Sequence, residues 1–292
     1  MSTRSTAEIV KGVATLEGEG FLVHRPFPSR TLSHFDPFLL LDEMGPMDVQ
    51  PGDAKGAPDH PHRGFETVTY LLSGSFEHKD SKGHKGKLSP GDVQWMTAGG
   101  GVVHSEVPSS EFQRTGGRLH GLQLWVNLPR TDKMMEPRYR EIPSSRIPTA
   151  KSADGRVTVR VLAGEAMGAR AVIETRTPIV YLDFVLQPGA EITQPVPAGF
   201  NVFAYVLSGS GLFGKFGTRV DRGNMALFAQ DGNEVLLRAT QDTDTPAHFI
   251  LIGGQPLNEP IARYGPFVMN TEQEIIQAFE DYRSGRMGKI GE

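Results

Sequence analysis

His60-Pro61-His62-Arg63-Gly64-Phe65, running on to Tyr70-Leu71-Leu72-Ser73-Gly74-Ser75, is matched 135 residues later by Pro195-Val196-Pro197-Ala198-Gly199-Phe200 and Tyr205-Val206-Leu207-Ser208-Gly209-Ser210. The Gly, Phe, Tyr, Leu and Ser-Gly-Ser positions coincide, so one scaffold occurs twice. At an offset of 132, Pro90-Gly91-Asp92 to Gly100 meets Arg222-Gly223-Asn224 to Gly232, which sets His104 against Leu236 and Glu106 against Arg238. Four potential metal ligands in the first copy thus become Pro, Pro, Leu and Arg in the second. On this alignment only the first copy is equipped for chemistry.

A chain of 292 residues accommodates two domains, each long enough to bury a core. With 38% hydrophobic residues, 34 Gly and 21 Pro, it reads as a turn-rich globular protein. Zero cysteines exclude a disulfide scaffold, a thiolate metal site and a cysteine nucleophile, leaving nitrogen and oxygen as the only ligands for a transition metal. A net charge of −4 implies no general attraction to nucleic acid. The basic run Lys79–Lys87 has Gly at hairpin spacing and reads as a solvated turn. No apolar run reaches a membrane span and no apolar signal core is visible, so a cytoplasmic protein is expected, nuclear as well in a eukaryotic host.

Short alternating segments separated by Gly and Pro recur through the chain: Glu66–Leu72, Asp92–Thr97, Leu119–Leu128, Val157–Leu162, Val180–Leu186, Val202–Leu207 and His248–Ile252. That is the pattern of an all-β sandwich or barrel. Met134–Asp154 is charged and carries three prolines. The expectation is therefore a first domain over residues 1–134, a linker over 135–154 and a second domain over 155–292. Thr271-Glu272-Gln273-Glu274 is a capping box, and Ile275, Ile276, Phe279 and Tyr282 behind it predict one amphipathic helix ending near Gly285.

His60 and His62 are two apart, so on extended backbone both imidazoles leave the same face, about 6.6–6.8 Å apart at Cα. Pro61 pushes His60 toward the β region. His104 and Glu106 repeat the spacing after the turn Gly99-Gly100-Gly101, which reads as a turn and not a phosphate loop, since no helix follows. Two such pairs facing each other across a small barrel would hold one cation with three imidazoles and a carboxylate. Glu66, four residues after His62, competes with Glu106 for the carboxylate role. His24, His34, His78, His84, His120 and His248 read as ordinary surface or satisfied core histidines.

The strings His60-Pro-His-Arg-Gly-Phe-Glu66, Gly91-Asp-Val-Gln-Trp-Met-Thr-Ala-Gly99, His104-Ser-Glu106, His120-Gly-Leu-Gln-Leu-Trp-Val-Asn-Leu128 and Gly265-Pro-Phe-Val-Met-Asn-Thr271 resemble the pirin family of the cupin superfamily, across nearly the whole chain. The resemblance implies a bicupin: two jelly-roll barrels in tandem with a short C-terminal helix, the second barrel lacking metal ligands. It implies one divalent ion in the first barrel, Fe(2+) by likeness, held by His60, His62, His104 and Glu106. Ligand chemistry alone leaves Cu, Ni, Mn and Zn open.

It further implies a quercetin 2,3-dioxygenase-like enzyme acting on a phenolic, flavonol-like substrate with O2. Glu106 would serve as the catalytic base at the 3-hydroxyl, and the enolate would react with O2 and lose carbon monoxide. The alternative is an iron-dependent, redox-sensitive protein-interaction or transcription co-regulator without physiological catalysis. Its partner would be protein, because no basic stripe favours direct nucleic-acid contact. A monomer is expected.

Overall fold

The alternating segments form strands where the pattern places them, among them Phe65–Ser73, Val93–Thr97, Gly117–Asn127, Val157–Ala163, Ile179–Leu186, Asn201–Ser208 and Ala247–Gly254. A computed structural model describes residues 2–18 and 20–291, and they divide into two all-β units. In the first, a seven-stranded sheet runs in the order Arg138–Ile142, Val93–Thr97, Phe65–Ser73, Gly117–Asn127, Phe38–Val49, Phe21–Phe27, Val13–Glu17. A four-stranded sheet runs in the order Ala57–His62, Val102–Pro108, Phe76–Asp80, Lys85–Leu88. The second unit repeats both sheets. Its seven strands are Thr6–Lys11, Asn224–Phe228, Asn201–Ser208, Ala247–Gly254, Ile179–Leu186, Val157–Ala163 and Thr149–Lys151. Its four are Glu191–Pro195, Glu234–Ala239, Ser210–Phe213 and Thr218–Asp221. Each unit is thus a cupin barrel, and the duplication is one of architecture. No helix among the described residues is long and apolar enough to cross a membrane.

The units are discontinuous in sequence, unlike the contiguous ranges expected. The first comprises Val13–His34, Phe38–Ser144 and Leu257–Glu292; the second comprises Met1–Gly12, Phe35–Pro37 and Ser145–Pro256. The N-terminal segment belongs to the second barrel because Thr6–Lys11 supplies an edge strand against Asn224–Phe228. Arg4, fully buried, also donates to the carbonyls of Pro197, Ala198, Phe200 and Gly232. The expected linker is largely structured: Arg138–Ile142 pairs with Val93–Thr97, and Thr149–Lys151 pairs with Val157–Ala163. Pro137, Pro143 and Pro148 fall just outside these strands, where a missing N–H removes no ladder bond.

The capping box forms as expected, with Thr271 capping the helix Glu272–Arg283 and Glu274 answering it. The buried face differs from the expected stripe. Ile275 and Ala278 pack with Val103, Phe267, Met269 and Met287, and Asp281 is buried on the same helix, whereas Ile276 and Tyr282 are exposed. The reason is electrostatic. Asp281 accepts hydrogen bonds from Gln277 at 2.8 Å and Arg286 at 2.6 Å and pairs with Arg63 at 2.7 Å, so the helix turns its carboxylate toward a buried guanidinium. Burial opposes ionisation of Asp281, but these three donors prevail and hold it at about 2. A six-residue helix, Ser110–Thr115, capped by Ser109, was not legible in the sequence.

Candidate metal centre

The three histidines meet because of strand register. Ala57–His62 is an edge strand paired antiparallel with Val102–Pro108, with His60 opposite His104 and His62 opposite Val102. Opposed residues project to the same face with Cβ atoms roughly 4.5–5.5 Å apart, and His62 shares that face by its two-residue spacing. The ring centroids accordingly lie 4.7 Å (His60–His62), 4.3 Å (His60–His104) and 4.9 Å (His62–His104) apart. One ligand atom from each lies within 4.8 Å of the other two, and this is the only such group of three among the described residues. The two histidine-bearing strands are neighbours in one sheet; they do not face each other across the barrel, as the spacing alone had suggested.

The outer nitrogens are already occupied. His60 Nδ1 lies 2.7 Å from the Pro58 carbonyl and His62 Nδ1 lies 3.4 Å from the Pro266 carbonyl. A carbonyl can only accept, so both Nδ1 atoms carry the proton and both Nε2 lone pairs are left free. Those Nε2 atoms sit 3.1 Å apart. His104 is fully buried, and neither of its nitrogens has a hydrogen-bond partner. Unpartnered buried nitrogen is costly unless something satisfies it, and a cation shared by three neutral imidazoles does so. The donor set fits a transition-metal ion.

Burial, followed by the neighbouring imidazole His60, holds His62 well below the usual histidine range. Burial, then His62 and His60, does the same for His104. Both are therefore neutral and ready to ligate at pH 7. The sign of the linkage follows. Below about 6.5 the unfolded chain binds protons that the folded state refuses, so stability is lost as pH falls through that value. Chelator-treated protein is expected to lose roughly 1 kcal/mol per group for each pH unit below it. Urea midpoints at pH 7.5 and 5.5 check this, and a flat profile would contradict it.

Glu106 is also buried, two residues beyond His104, but a bulge between them breaks the pairing register. Its carboxylate reaches to the other sheet of the barrel: Oε1 accepts from Thr69 Oγ1 and Oε2 from Gln123 Nε2, both at 2.9 Å. Trp125 Nε1, which can only donate, lies 3.2 Å from Gln123 Oε1 and so fixes which way the amide points. Glu106 is not part of the mutually close histidine group; it lines the same cavity. Glu66 does not. Gly64 (φ +89°) turns the chain between His62 and Glu66, placing them in different sheets, and the Glu66 carboxylate accepts from Thr97 at 2.6 Å. A Cβ at Gly64 would also strike the Val268 carbonyl at 1.9 Å, so this turn requires glycine.

The cavity, about 590 Å³, is bounded by His60, His62, Glu106, Trp125, Leu40 and Met44. That volume suits a small organic molecule. Trp125 stacks on Phe65 (centroids 4.3 Å, interplanar angle 29°) and stands edge-on to His62 at 5.1 Å. Four other histidines carry carboxylate partners, His78 with Glu141, His84 with Asp80, His120 with Glu43 and His248 with Asp183.

The Pirin family model matches residues 20–126, and the model of the Pirin C-terminal cupin domain matches 181–288. A pirin-like protein of Solanum lycopersicum is 49% identical over 272 residues, covering 93% of this chain and 89% of that protein. The chain belongs to the pirin family. Pirin of Homo sapiens is 46% identical over 275 residues, covering 93% of this chain and 90% of its own. Among solved structures, a quercetin 2,3-dioxygenase from Acinetobacter baumannii superposes with a TM-score of 0.92 at 38% identity, covering 99% of this chain and 100% of that one.

In this pirin-family chain the matching strand pair of the second barrel carries no histidine at its inward positions. Ile192 stands opposite Leu237 and Gln194 opposite Val235; Ile192, Leu237 and Val235 pack in or against an aliphatic and aromatic core, and Gln194 donates to the carbonyls of Glu165 and Pro195. Pro195 and Pro197 are exposed and Leu236 is half-buried, so none of the three stands at an inward position of that pair.

Lys133 is a further residue that sequence reasoning missed. It is buried, and its Nζ donates to Asn127 Oδ1 (2.6 Å) and to the carbonyls of Gly64 (2.8 Å) and Val268 (3.0 Å). Burial pulls the Lys133 ammonium down to about 8. Lys133→Met is expected to destabilise the protein by about 3 kcal/mol, since three buried acceptors lose their donor. A thermal melt checks it, and an unchanged midpoint would contradict the role.

Proposed function

We propose that the chain is a metal-dependent dioxygenase that opens the central ring of a flavonol with O2, as quercetin 2,3-dioxygenase does. The observation that carries this reading is the three-imidazole cluster, with His62 and His104 buried and both nitrogens of His104 unpartnered, at a cavity of about 590 Å³. The likeness to the Acinetobacter enzyme supports it. His60, His62 and His104 hold the ion, with Glu106 as the fourth ligand and Fe(2+) as the proposed metal. Bound there, the ion would supply open positions for an organic oxygen anion and O2 side by side.

The chain's own residues do the rest. Glu106 accepts the proton of the 3-hydroxyl on a carboxylate oxygen, while Thr69 and Gln123 keep that carboxylate oriented. Trp125, Leu40 and Met44 offer flat apolar walls that align the rings and exclude water. In the overall reaction two carbon–carbon bonds of the central ring break, one carbon leaves as carbon monoxide, and both atoms of O2 enter the ester acid. The test is metal analysis of the protein as isolated, paired with oxygen uptake and carbon monoxide release over a series of flavonols. One ion per chain with matched uptake and release is expected. A loaded protein that consumes no O2 with any flavonol would remove the dioxygenase reading.

A further inference from the structure

The cavity contains two guanidinium groups whose surroundings differ. Arg25 is charge-paired: it binds Asp42 bidentately at 2.7 and 2.6 Å and reaches Glu17 at 2.6 Å. Arg263, on the short strand Ala262–Tyr264, makes a single hydrogen bond, from Nη1 to the Leu39 carbonyl at 3.0 Å, and has no carboxylate within ion-pair distance among the described residues. A guanidinium carries five N–H donors, so four remain for something else. The group is half-buried, and it lies over the Trp125 ring at 5.0 Å from the centroid. Of the cavity's carboxylates, Asp42 and Glu17 pair with Arg25 and Glu106 accepts from Thr69 and Gln123, while Asp59 makes no ion pair with Arg263.

We propose that Arg263 is a specificity-determining residue that takes an ionised oxygen of the substrate, so that the cavity selects planar aromatic anions, carboxylates or phenolates, over their neutral analogues. Phe65 stacks on Trp125 and Arg263 lies over its ring, so a flat ring enters the cavity beside the indole rather than on its face, and an anionic substituent then reaches the free N–H donors of Arg263. Burial and then the nearby Arg25 charge work against the Arg263 charge and prevail over the favourable Asp42 and Glu17 carboxylates, so a bound anion adds compensation the site lacks. The planar fork suits a carboxylate bidentately, which lysine cannot reproduce. The inference rests on the proposed function only in taking this cavity as the substrate site.

The test is equilibrium binding of 2-naphthoate and the isosteric, neutral 2-naphthamide, read by tryptophan fluorescence without O2, on the protein as isolated and after chelation. Wild type is expected to bind the carboxylate at least about tenfold more tightly in both states, as a charge-assisted pair warrants. Arg263→Gln, which can still donate to the Leu39 carbonyl, is expected to bring the ratio to about one, and Arg263→Lys to retain part of it. Equal affinities in wild type, or a preference that survives Arg263→Gln, would overturn the assignment. So would a preference lost on chelation but kept in Arg263→Gln, which places the carboxylate on the metal. Because no turnover is measured, failure here stays distinct from failure of the dioxygenase reading.

Discussion

Replacing His104 with alanine is expected to reduce bound metal from about one ion per chain to below a tenth of that, while the barrel still folds. Two imidazoles and the Glu106 carboxylate would remain, but Glu106 stands outside the mutually close group and is held by Thr69 and Gln123, so the ion loses the one imidazole whose nitrogens are both unpartnered and with it the three-nitrogen grip. The fold should survive because His104 forms no hydrogen bond that another residue depends on. His120→Ala is the matched control. Its imidazole pairs with Glu43 at 2.9 Å and belongs to no metal group, so metal content should be unchanged. Elemental analysis of both variants, with circular dichroism to establish folding, decides the matter. A folded His104→Ala protein that retains a full ion would show that the cluster is not the binding site.

Glu106→Gln is expected to lower flavonol turnover per bound ion by at least about a hundredfold, the low end of what a positioned general base contributes. The amide cannot accept the 3-hydroxyl proton. It must also meet Thr69 and Gln123, both of which donate to the carboxylate, and Gln123 cannot simply turn round because the Trp125 indole N–H engages its oxygen. Turnover is therefore normalised to metal content, which separates a lost base from a lost ligand. A loss below tenfold at full metal occupancy would remove the base role. Glu66→Gln should leave turnover per ion unchanged, because that carboxylate bonds Thr97 outside the cavity.

Much of this was readable one segment at a time. The duplicated Gly-Phe…Tyr…Ser-Gly-Ser scaffold announced two copies of one β architecture, and both copies carry the same pair of sheets. The two-residue spacing of His60 and His62 put both rings on one face before any fold was known, and the Thr271–Glu274 box set the helix start correctly. The boundary reading failed for a related reason. Edge strands such as Thr6–Lys11 and Arg138–Ile142 are short and largely polar, the second flanked by Pro137 and Pro143, so their place in a barrel does not show until a neighbouring strand pairs with them.

By itself, then, the order of residues determined the local events: alternation into strands, glycine and proline turns, a helix cap, and paired imidazoles on one face. Each depends on atoms a few residues apart. Only the folded barrel decided that His104 stands opposite His60, that Glu106 and not Glu66 faces the cavity, and that Trp125, Arg263 and the Pro266 carbonyl gather around His62. Those choices come from cross-strand register and from contacts between distant segments. A shift of one residue would reverse every face, and no local pattern records such a shift.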